Sequence, residues 1–284
     1  MADSISLEEF DGYIRSIGAD VNHALLNHIN VTVDMGYDFQ TEDPFSETYR
    51  ENVIAMYEKV AGRAYSIENE AWHTDIEAGV REPYPFATHD AATIGGALQS
   101  LGFLTQIAAP RAGERMVEFG VGWGNTTLAA AHTGAEVWAV DIEDSYLEII
   151  RRRAELAGVH IETVLGDFSC VDQLPGKFDL ALFYESFHHA ADHRRFLETL
   201  IKCLKPEGRI CWGGEPIYEE FWAPWGLRLD GLSVYCIRER GWLELGFRPS
   251  YFRQLMAQAG FDFQFHHLIS VPGPQGWVYT SKRV

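Results

Sequence analysis

The fold of this chain is decided by the stretch Val117-Glu118-Phe119-Gly120-Val121-Gly122-Trp123-Gly124-Asn125-Thr126. An apolar run leads into three glycines at alternate positions, and a helical pattern follows directly. Glycines are required where a strand turns tightly into a helix and a ligand approaches the backbone, because a Cβ would block that approach. The free N–H groups at the start of the helix favour a nucleotide-like ligand. The stretch therefore predicts a strand, a turn and a helix that together form a binding site.

From residue 111 onward, short apolar runs alternate with helical patterns, which is the rhythm of repeated βα units in a parallel sheet. The pattern predicts strands at 115–119, 136–140, 162–165, 178–184, 209–213, 261–271 and 277–282, and helices at 126–131, 145–156, 193–204 and 249–259. The turn-rich segment 272–276 favours an antiparallel pairing of the last two strands. The predicted fold class is α/β, a doubly wound, seven-stranded, mostly parallel sheet with a terminal antiparallel hairpin.

The N-terminal part of the chain has a different pattern, helical and without an obvious strand. Ser6-Leu7-Glu8-Glu9 has the form of a capping box before an amphipathic helix, a second helix is predicted from about Ser46 to Val60, and a third begins near residues 88–90. We therefore expect residues 1–110 to form a helical cap, or substrate subdomain. Residues 111–284 would form the cofactor-binding domain, with an aromatic-rich insertion at about 215–248.

Composition excludes several kinds of partner. The 284 residues include 41 acidic and 23 basic side chains, giving a formal net charge of −18. Such a surface repels phosphate groups, so nucleic acids and anionic membranes are poor candidates. The first residues lack a signal-peptide pattern and no apolar window is long enough to cross a bilayer, so we expect a cytoplasmic protein. Aromatic residues of the N-terminal helices leave a homodimer open.

The spacing of the glycines separates two classes of ligand. A dinucleotide-binding turn, Gly-x-Gly-x-x-Gly, would place its third glycine at position 125, where this chain has Asn125. This argues against a nicotinamide-dependent reductase. Instead, residues 118–124 show an acid, one residue, and then Gly-x-Gly-x-Gly. With this motif the chain resembles the class I S-adenosylmethionine-dependent methyltransferases over roughly residues 112–284.

The resemblance implies a set of cofactor-binding residues. Asp141 ends an apolar strand 141 − 120 = 21 residues after the first glycine, where a carboxylate can accept both ribose hydroxyls; the alternative is a helix cap. Similar enzymes use an acid after the third strand for the adenine amino group, which gives that role to Asp167, with Phe168 against the ring; a loop-turn Asp is the alternative. The full predicted set is Glu118, Gly120, Gly122, Gly124, Asn125, Thr126, Asp141, Ile142, Asp167, Phe168 and Tyr184.

Polar groups follow the fourth predicted strand, at the edge of the sheet where ligands of open α/β folds bind. Glu185, His188 and His189 are therefore the catalytic candidates. A neutral histidine suits a general base for a hydroxyl acceptor, and Glu185 could be that base or orient it. A carboxylate or neutral amine acceptor needs no base, and in many similar enzymes such a histidine pair carries no catalytic duty. With Glu185 or Glu215 the histidines offer groups that suit a divalent metal, which is the alternative, but they form no compact ligand motif, so we predict no metal.

Three segments could form the wall that positions the methyl acceptor. They are the proline- and aromatic-rich stretch before the third helix, the insertion after the fifth strand, and His266-His267. The first two segments supply the predicted substrate-binding residues Tyr84, His89, Glu215, Tyr218 and Trp222. We expect S-adenosylmethionine as cofactor and O-methylation of a small polar acceptor, such as a sugar or natural-product hydroxyl. The alternatives are N- or C-methylation of a small molecule and a non-catalytic S-adenosylmethionine-binding module.

Overall fold

The computed structural model describes residues 3–17, 31–37, 39, 42–82 and 89–284. Its helices are α1 (Leu7–Ile17), α2 (Glu47–Ala61), α3 (Ile76–Arg81), α4 (Ala91–Ala108), α5 (Asn125–Ala131), α6 (Asp144–Ala157), α7 (His193–Cys203), α8 (Gly231–Tyr235) and α9 (Pro249–Gln258). Its strands are β1 (Asp3–Ile5), β2 (Val31–Val33), β3 (Arg115–Phe119), β4 (Glu136–Asp141), β5 (Ile161–Leu165), β6 (Phe178–Tyr184), β7 (Leu204–Gly213), β8 (Trp225–Leu227), β9 (Leu245–Phe247), β10 (Gln264–His267) and β11 (Trp277–Lys282).

The elements form two compact units. One contains the residues before Ala71 together with Ile217–Tyr251, and the other contains Ala71–Pro216 with Phe252–Val284. This division differs from the expected boundary at residue 110. Residues 71–110 belong to the sheet unit, and most of the aromatic-rich insertion belongs with the N-terminal residues.

The sheet unit confirms the predicted fold class. Its seven strands lie in the order β10-β11-β7-β6-β3-β4-β5. Strands β3 to β7 are parallel, whereas β11 runs antiparallel to β7 and β10 antiparallel to β11. The central strands are buried on both faces, as their continuous apolar sequences require, while the edge strand β5 leaves Leu165 62% exposed. The carboxyl ends of the parallel strands meet along one edge of this sheet.

Most predicted element boundaries agree with the structure to within a residue or two, with two exceptions in the second half of the chain. Strand β7 begins at Leu204, not at Arg209, because Leu204 already pairs with Phe178. The register then shifts, and pairing resumes between Leu180 and Arg209. Strand β10 is shorter than the predicted 261–271, since only four of its residues pair with β11.

In the first unit, α2 supplies much of the core. It begins after Ser46, whose hydroxyl accepts the N–H of Tyr49, and it ends at Gly62, whose φ of 67° is left-handed. The Tyr49 hydroxyl donates to the Trp225 carbonyl at 2.6 Å, which joins α2 to β8 of the insertion. A parallel pair, β1 with β2, lies where the sequence shows no obvious strand, because three-residue strands are too short to create a periodic pattern.

Among the helices within the described ranges, none combines the length and apolar character needed to cross a membrane.

Candidate active site

The glycine-rich turn between β3 and α5 has the geometry that the sequence predicts. Gly120, Gly122 and Gly124 have φ values of 66°, 48° and 73°, all in the left-handed region. A Cβ on Gly120 would lie 2.5 Å from Cβ of Ser186, and one on Gly124 would lie 2.5 Å from Cγ1 of Ile150. No atom lies within 4 Å of a Cβ placed on Gly122. The outer glycines therefore allow close packing inside the protein, while the middle glycine leaves its backbone open to a ligand.

Asp141 lies at the carboxyl end of β4 and is hydrogen-bonded to this turn. Its carboxylate accepts the N–H of Gly122 at 3.2 Å and that of Glu143 at 3.0 Å. Burial raises the pKa of the Asp141 carboxyl to about 6, although these N–H groups act in the opposite direction. The acid and the middle glycine thus form one hydrogen-bonded unit. Ile142, which follows Asp141, is half-buried.

Glu118 is hydrogen-bonded to the start of the helix that follows this turn. Its side chain is 1% exposed, and its two carboxylate oxygens accept the hydroxyls of Thr126 and Thr127 in the first turn of α5. Burial raises the pKa of Glu118 to about 7, against the effect of those two hydrogen bonds. In this structure Glu118 and Thr126 contact each other, and Glu118 holds the helix start in place. Asn125, the first residue of α5, is half-buried.

After β5, Asp167 caps a short 3₁₀ helix that begins at Phe168. The Asp167 carboxylate accepts the N–H of Ser169 at 2.8 Å and its hydroxyl at 2.5 Å. The Phe168 ring stacks on Phe196 with a centroid distance of 5.0 Å and meets the ring of Phe119 edge-on. Each residue therefore has a local structural role at the position where the resemblance assigns it to the adenine ring.

The carboxyl end of β6 brings together the predicted catalytic residues. Tyr184 is half-buried, and Glu185 is exposed with a left-handed φ of 51°, an uncommon conformation for a residue with a side chain. The rings of His188 and His189 lie 4.2 Å apart, and His188 is 6% exposed. Ser186 ties this segment to the glycine-rich turn because its hydroxyl donates to the Phe119 carbonyl at 2.7 Å.

Glu215 occupies a position different from the predicted substrate wall. It is 0% exposed, and its carboxylate accepts the backbone N–H groups of Ser186, Phe187 and His188 at 2.9, 2.8 and 3.1 Å. The same carboxylate lies 2.8 Å from Nδ1 of His188. Burial would raise the pKa of Glu215, but His188 and the backbone N–H groups outweigh it and hold the pKa below its usual value. Glu215 therefore binds the segment that carries the catalytic candidates, through its backbone and through the His188 ring.

Among the other predicted substrate residues, His89 belongs to the sheet unit. His89 is exposed and lies 3.7 Å from the Glu82 carboxylate. Tyr218 and Trp222 belong to the first compact unit, where the Trp222 indole N–H donates to the Leu227 carbonyl at 2.8 Å. Tyr84 lies outside the described residues.

The structure adds a segment beside the site that the sequence did not identify. The short helix α3 packs against α6, so that a Cβ on Gly79 would lie 2.3 Å from Cδ1 of Ile149 and 3.4 Å from a ring atom of Trp123. Glu77 of α3 accepts two hydrogen bonds from the Arg152 guanidinium, at 2.6 and 3.2 Å. The only sequence signal was a glycine inside a short helix.

Comparison with known proteins finds similarity over the part of the chain that contains the glycine-rich turn. Residues 116–208 match a family model described as "Methyltransferase domain". The chain is 36% identical over 107 residues to a demethylmenaquinone methyltransferase of Clavibacter sepedonicus, covering 37% of this chain and 43% of that protein. It is 30% identical over 116 residues to a ubiquinone biosynthesis O-methyltransferase of Idiomarina loihiensis, covering 39% and 46%. The chain therefore matches less than half the length of these relatives.

A comparison with solved structures finds a similar fold. The crystal structure of the YcgJ protein of Bacillus subtilis superposes with a TM-score of 0.50 and 17% sequence identity, over 66% of this chain and 99% of that one. At this identity the similarity establishes the fold alone.

Proposed function

We propose that this protein, a class I S-adenosylmethionine-dependent methyltransferase, methylates a hydroxyl group of a small polar molecule. The observation that carries the proposal is the joint geometry of Gly122 and Asp141 at the carboxyl edge of the sheet, where ligands of open α/β folds bind.

The residues at this edge fit S-adenosylmethionine. A carboxylate at the end of β4 can accept two ribose hydroxyls, and the open face of Gly122 lets a ligand approach the backbone at a point that a Cβ would fill. The start of α5 presents N–H groups beside the same turn. We propose that Gly120, Gly122, Gly124 and Asp141 hold the cofactor. The remaining residues that the resemblance implies for the cofactor site are Glu118, Asn125, Thr126, Ile142, Asp167, Phe168 and Tyr184.

When bound, S-adenosylmethionine supplies an electrophilic methyl group on a sulfonium. The protein must hold the acceptor oxygen in line with that methyl group and exclude water, because positioning provides most of the rate in such a displacement. The transfer would form a bond between the acceptor oxygen and the methyl carbon and would break the carbon–sulfur bond. The hydroxyl proton would pass to a base, and His188, His189 and Glu185 at the end of β6 are the candidates.

The nature of the acceptor is inferred from charge and from the relatives. A formal charge of −18 favours neutral or cationic small molecules over nucleic acid or an anionic membrane surface. The names of both curated relatives refer to quinones, and one of them specifies O-methylation. We therefore propose a hydroxylated ring, either a sugar or a phenol, with Tyr84, His89, Tyr218 and Trp222 as candidate contacts. We also propose a cytoplasmic location and leave a homodimer as a further proposal.

Transfer of a labelled methyl group tests this function. Purified protein is incubated with methyl-labelled S-adenosylmethionine and a panel of catechols, hydroquinones and glycosides, beside Asp141→Ala and a surface control, Glu207→Gln. We expect ether-linked label in at least one hydroxylated acceptor for the parent and for Glu207→Gln, and none for Asp141→Ala. Label on nitrogen or carbon would contradict O-methylation. Cofactor binding without transfer to any acceptor would indicate a non-catalytic binding module.

A further inference from the structure

In the first compact unit, the two segments that extend β8 and β9 have charged side chains on one face and leucines on the other. Residues 227–230 read Leu-Arg-Leu-Asp, the paired segment 243–245 reads Leu-Glu-Leu, and all four leucines are buried. Pairing continues past the end of β8, since the N–H of Arg228 donates to the Glu244 carbonyl at 2.8 Å. Successive residues of a strand face opposite sides, so Arg228, Asp230 and Glu244 share one face. We call these three residues the Arg228 cluster.

The side chains of the cluster are joined by two ion pairs. Nη1 of Arg228 donates to Oε2 of Glu244 at 3.2 Å, and Nε of Arg228 lies 3.3 Å from Oδ2 of Asp230. The Asp230 carboxylate also accepts the N–H and the hydroxyl of Ser233, at 3.0 and 2.9 Å. Glu244 is buried, whereas 24% of the Arg228 side chain and 44% of the Asp230 side chain are exposed. The accessible end of the cluster therefore has one donor side chain beside one acceptor side chain.

The cluster has more polar capacity than the fold requires. A largely buried ion pair such as Arg228–Glu244 loses the hydration of both charges, and apolar residues of similar volume often stabilise a protein equally well or better. The leucines on the opposite face are that apolar alternative. None of the residues that the structure describes accepts a hydrogen bond from Nη2 of Arg228, which carries two of the five guanidinium N–H groups. The cluster thus keeps donors that a ligand can use.

An aromatic ring lies within the range of the Arg228 charge. Burial raises the pKa of the Tyr218 hydroxyl, and the positive charge of Arg228 acts in the opposite direction. The Tyr218 side chain is half-buried, so part of it is also accessible. Aromatic side chains together with a few placed polar groups are typical of sites for small molecules. The surroundings of the cluster therefore suit a small polar ligand.

The accessible donor and acceptor select among ligands. Each hydroxyl of a sugar ring both donates and accepts hydrogen bonds, so two neighbouring hydroxyls can accept from Arg228 and donate to Asp230. An anion would meet two carboxylates beside one guanidinium, and a cation would meet the guanidinium between the carboxylates. A phenol or a catechol has at most one hydroxyl besides the one that is methylated, which would leave Arg228 or Asp230 without a partner.

We propose that the Arg228 cluster binds two neighbouring ring hydroxyls of a sugar, with Arg228 as the donor, Asp230 as the acceptor and Glu244 fixing the guanidinium. The inference rests on the proposed function and deepens it, because it selects a sugar over a phenol as the methyl acceptor. Binding of the sugar requires neither cofactor nor methyl transfer, so it can be measured separately from the reaction.

Two variants and two matched controls test the cluster. Arg228→Lys keeps a positive charge beside Glu244 but lacks the Nη2 donors. Asp230→Asn removes the carboxylate and keeps a side chain that caps α8 about equally well. Arg50→Lys and Asp43→Asn make the same changes elsewhere in the unit, at an ion pair on α2 and at a carboxylate that accepts a backbone N–H in a turn.

Saturation-transfer NMR of the ligands measures binding to a panel of methyl glycosides of hexoses and 6-deoxyhexoses, beside phenols and catechols. We expect at least one glycoside to bind the parent and both controls. The same glycoside should bind Arg228→Lys and Asp230→Asn about 10-fold or more weakly, because each variant loses a hydrogen bond to a charged group. Binding of no glycoside, or equal affinity in all five proteins with folding confirmed by circular dichroism, would overturn the inference.

A second measurement needs no variant and decides the matter if Arg228→Lys or Asp230→Asn does not fold. Monodeoxy analogues of the bound glycoside each lack one ring hydroxyl. Two analogues that lack neighbouring hydroxyls should bind the parent about 10-fold or more weakly than the glycoside itself. In a folded Arg228→Lys, one of these two losses should disappear because the contact is already absent. Analogues that all bind as tightly as the glycoside would contradict recognition of its hydroxyls.

Methyl transfer separates this inference from the proposed function. In both cluster variants, KM for the glycoside should rise about 10-fold or more, while KM for S-adenosylmethionine stays at the parent's value. Transfer of the label to phenols or catechols alone would overturn the choice of a sugar and leave O-methylation standing. Glycoside binding that depends on Arg228 and Asp230, without methyl transfer to any acceptor, would instead refute the proposed function and leave the binding site standing.

Discussion

A methyl group added to the middle glycine of the β3–α5 turn should weaken cofactor binding more than it weakens the fold. Gly122 has a φ of 48°, and no atom lies within 4 Å of the position that a Cβ would occupy there. An alanine at this position must adopt the left-handed conformation at a cost of roughly 1–2 kcal/mol. The lower entropy of the unfolded chain returns roughly 0.4–1 kcal/mol. The net loss of stability of Gly122→Ala is therefore about 1 kcal/mol.

Gly158→Ala is the matched control. Gly158, after the end of α6, has a φ of 66° and also no atom within 4 Å of a Cβ, so the same arithmetic applies far from the turn. Gly120→Ala is the contrasting variant, because its Cβ would lie 2.5 Å from that of Ser186. Overpacking of this kind adds roughly 1–3 kcal/mol to the strain.

Denaturant unfolding and calorimetric titration with S-adenosylmethionine distinguish the three variants. Gly122→Ala and Gly158→Ala should be equally and mildly destabilised, and Gly120→Ala more strongly. Only Gly122→Ala, of the mild pair, should bind the cofactor at least about 10-fold more weakly, equivalent to about 1.4 kcal/mol. Equal cofactor affinities for Gly122→Ala and Gly158→Ala would refute the conclusion that the open face of Gly122 receives the ligand.

Three further predictions concern the surroundings of this turn. Asp141→Asn replaces an acceptor with a partial donor and should weaken cofactor binding by about 10-fold or more in calorimetry, whereas exposed Asp172→Asn should bind like the parent. Burial raises the pKa of Glu118 from 4.5 to about 7, so between these pH values the folded state holds a proton that the unfolded state releases. The free energy of unfolding should therefore fall as pH rises from 4.5 to 7. Urea unfolding of Glu118→Gln should lack that component, and an unchanged pH slope would contradict the assignment. Gly79→Ala should lose about 1–3 kcal/mol of stability, because its Cβ would contact Cδ1 of Ile149. Ile149→Val removes that atom, so it should destabilise the Gly79→Ala protein less than it destabilises the parent. Additive losses of stability would argue against the contact.

Local patterns predicted most of the sheet unit. The order of apolar runs and helical patterns specifies β3 to β7, since each buried strand needs a continuous apolar sequence and each helix an apolar stripe. The helix from about Ser46 to Val60 was predicted because its apolar residues recur at helical spacing within a few turns. By contrast, the short pair β1 and β2 depends on contacts between distant segments and leaves no periodic signal.

The position of Glu215 shows why part of the candidate site was not predictable. A glutamate after a strand at the ligand-binding edge is typical of a residue that contacts substrate, and its sequence neighbours support that interpretation. Its carboxylate instead accepts the three N–H groups that follow Glu185, and the left-handed conformation of that glutamate is not expected from sequence. The same holds for α3, whose contact with α6 depends on the missing side chain of Gly79.

The most direct test of the central claim is a crystal structure of the protein grown with S-adenosylhomocysteine, the product form of the cofactor. We predict electron density along the β3–α5 turn, with the ribose hydroxyls on the Asp141 carboxylate and the amino-acid end beside Gly122. Density for the ligand elsewhere, or none at saturating concentration, would contradict the assignment of this turn as the cofactor site.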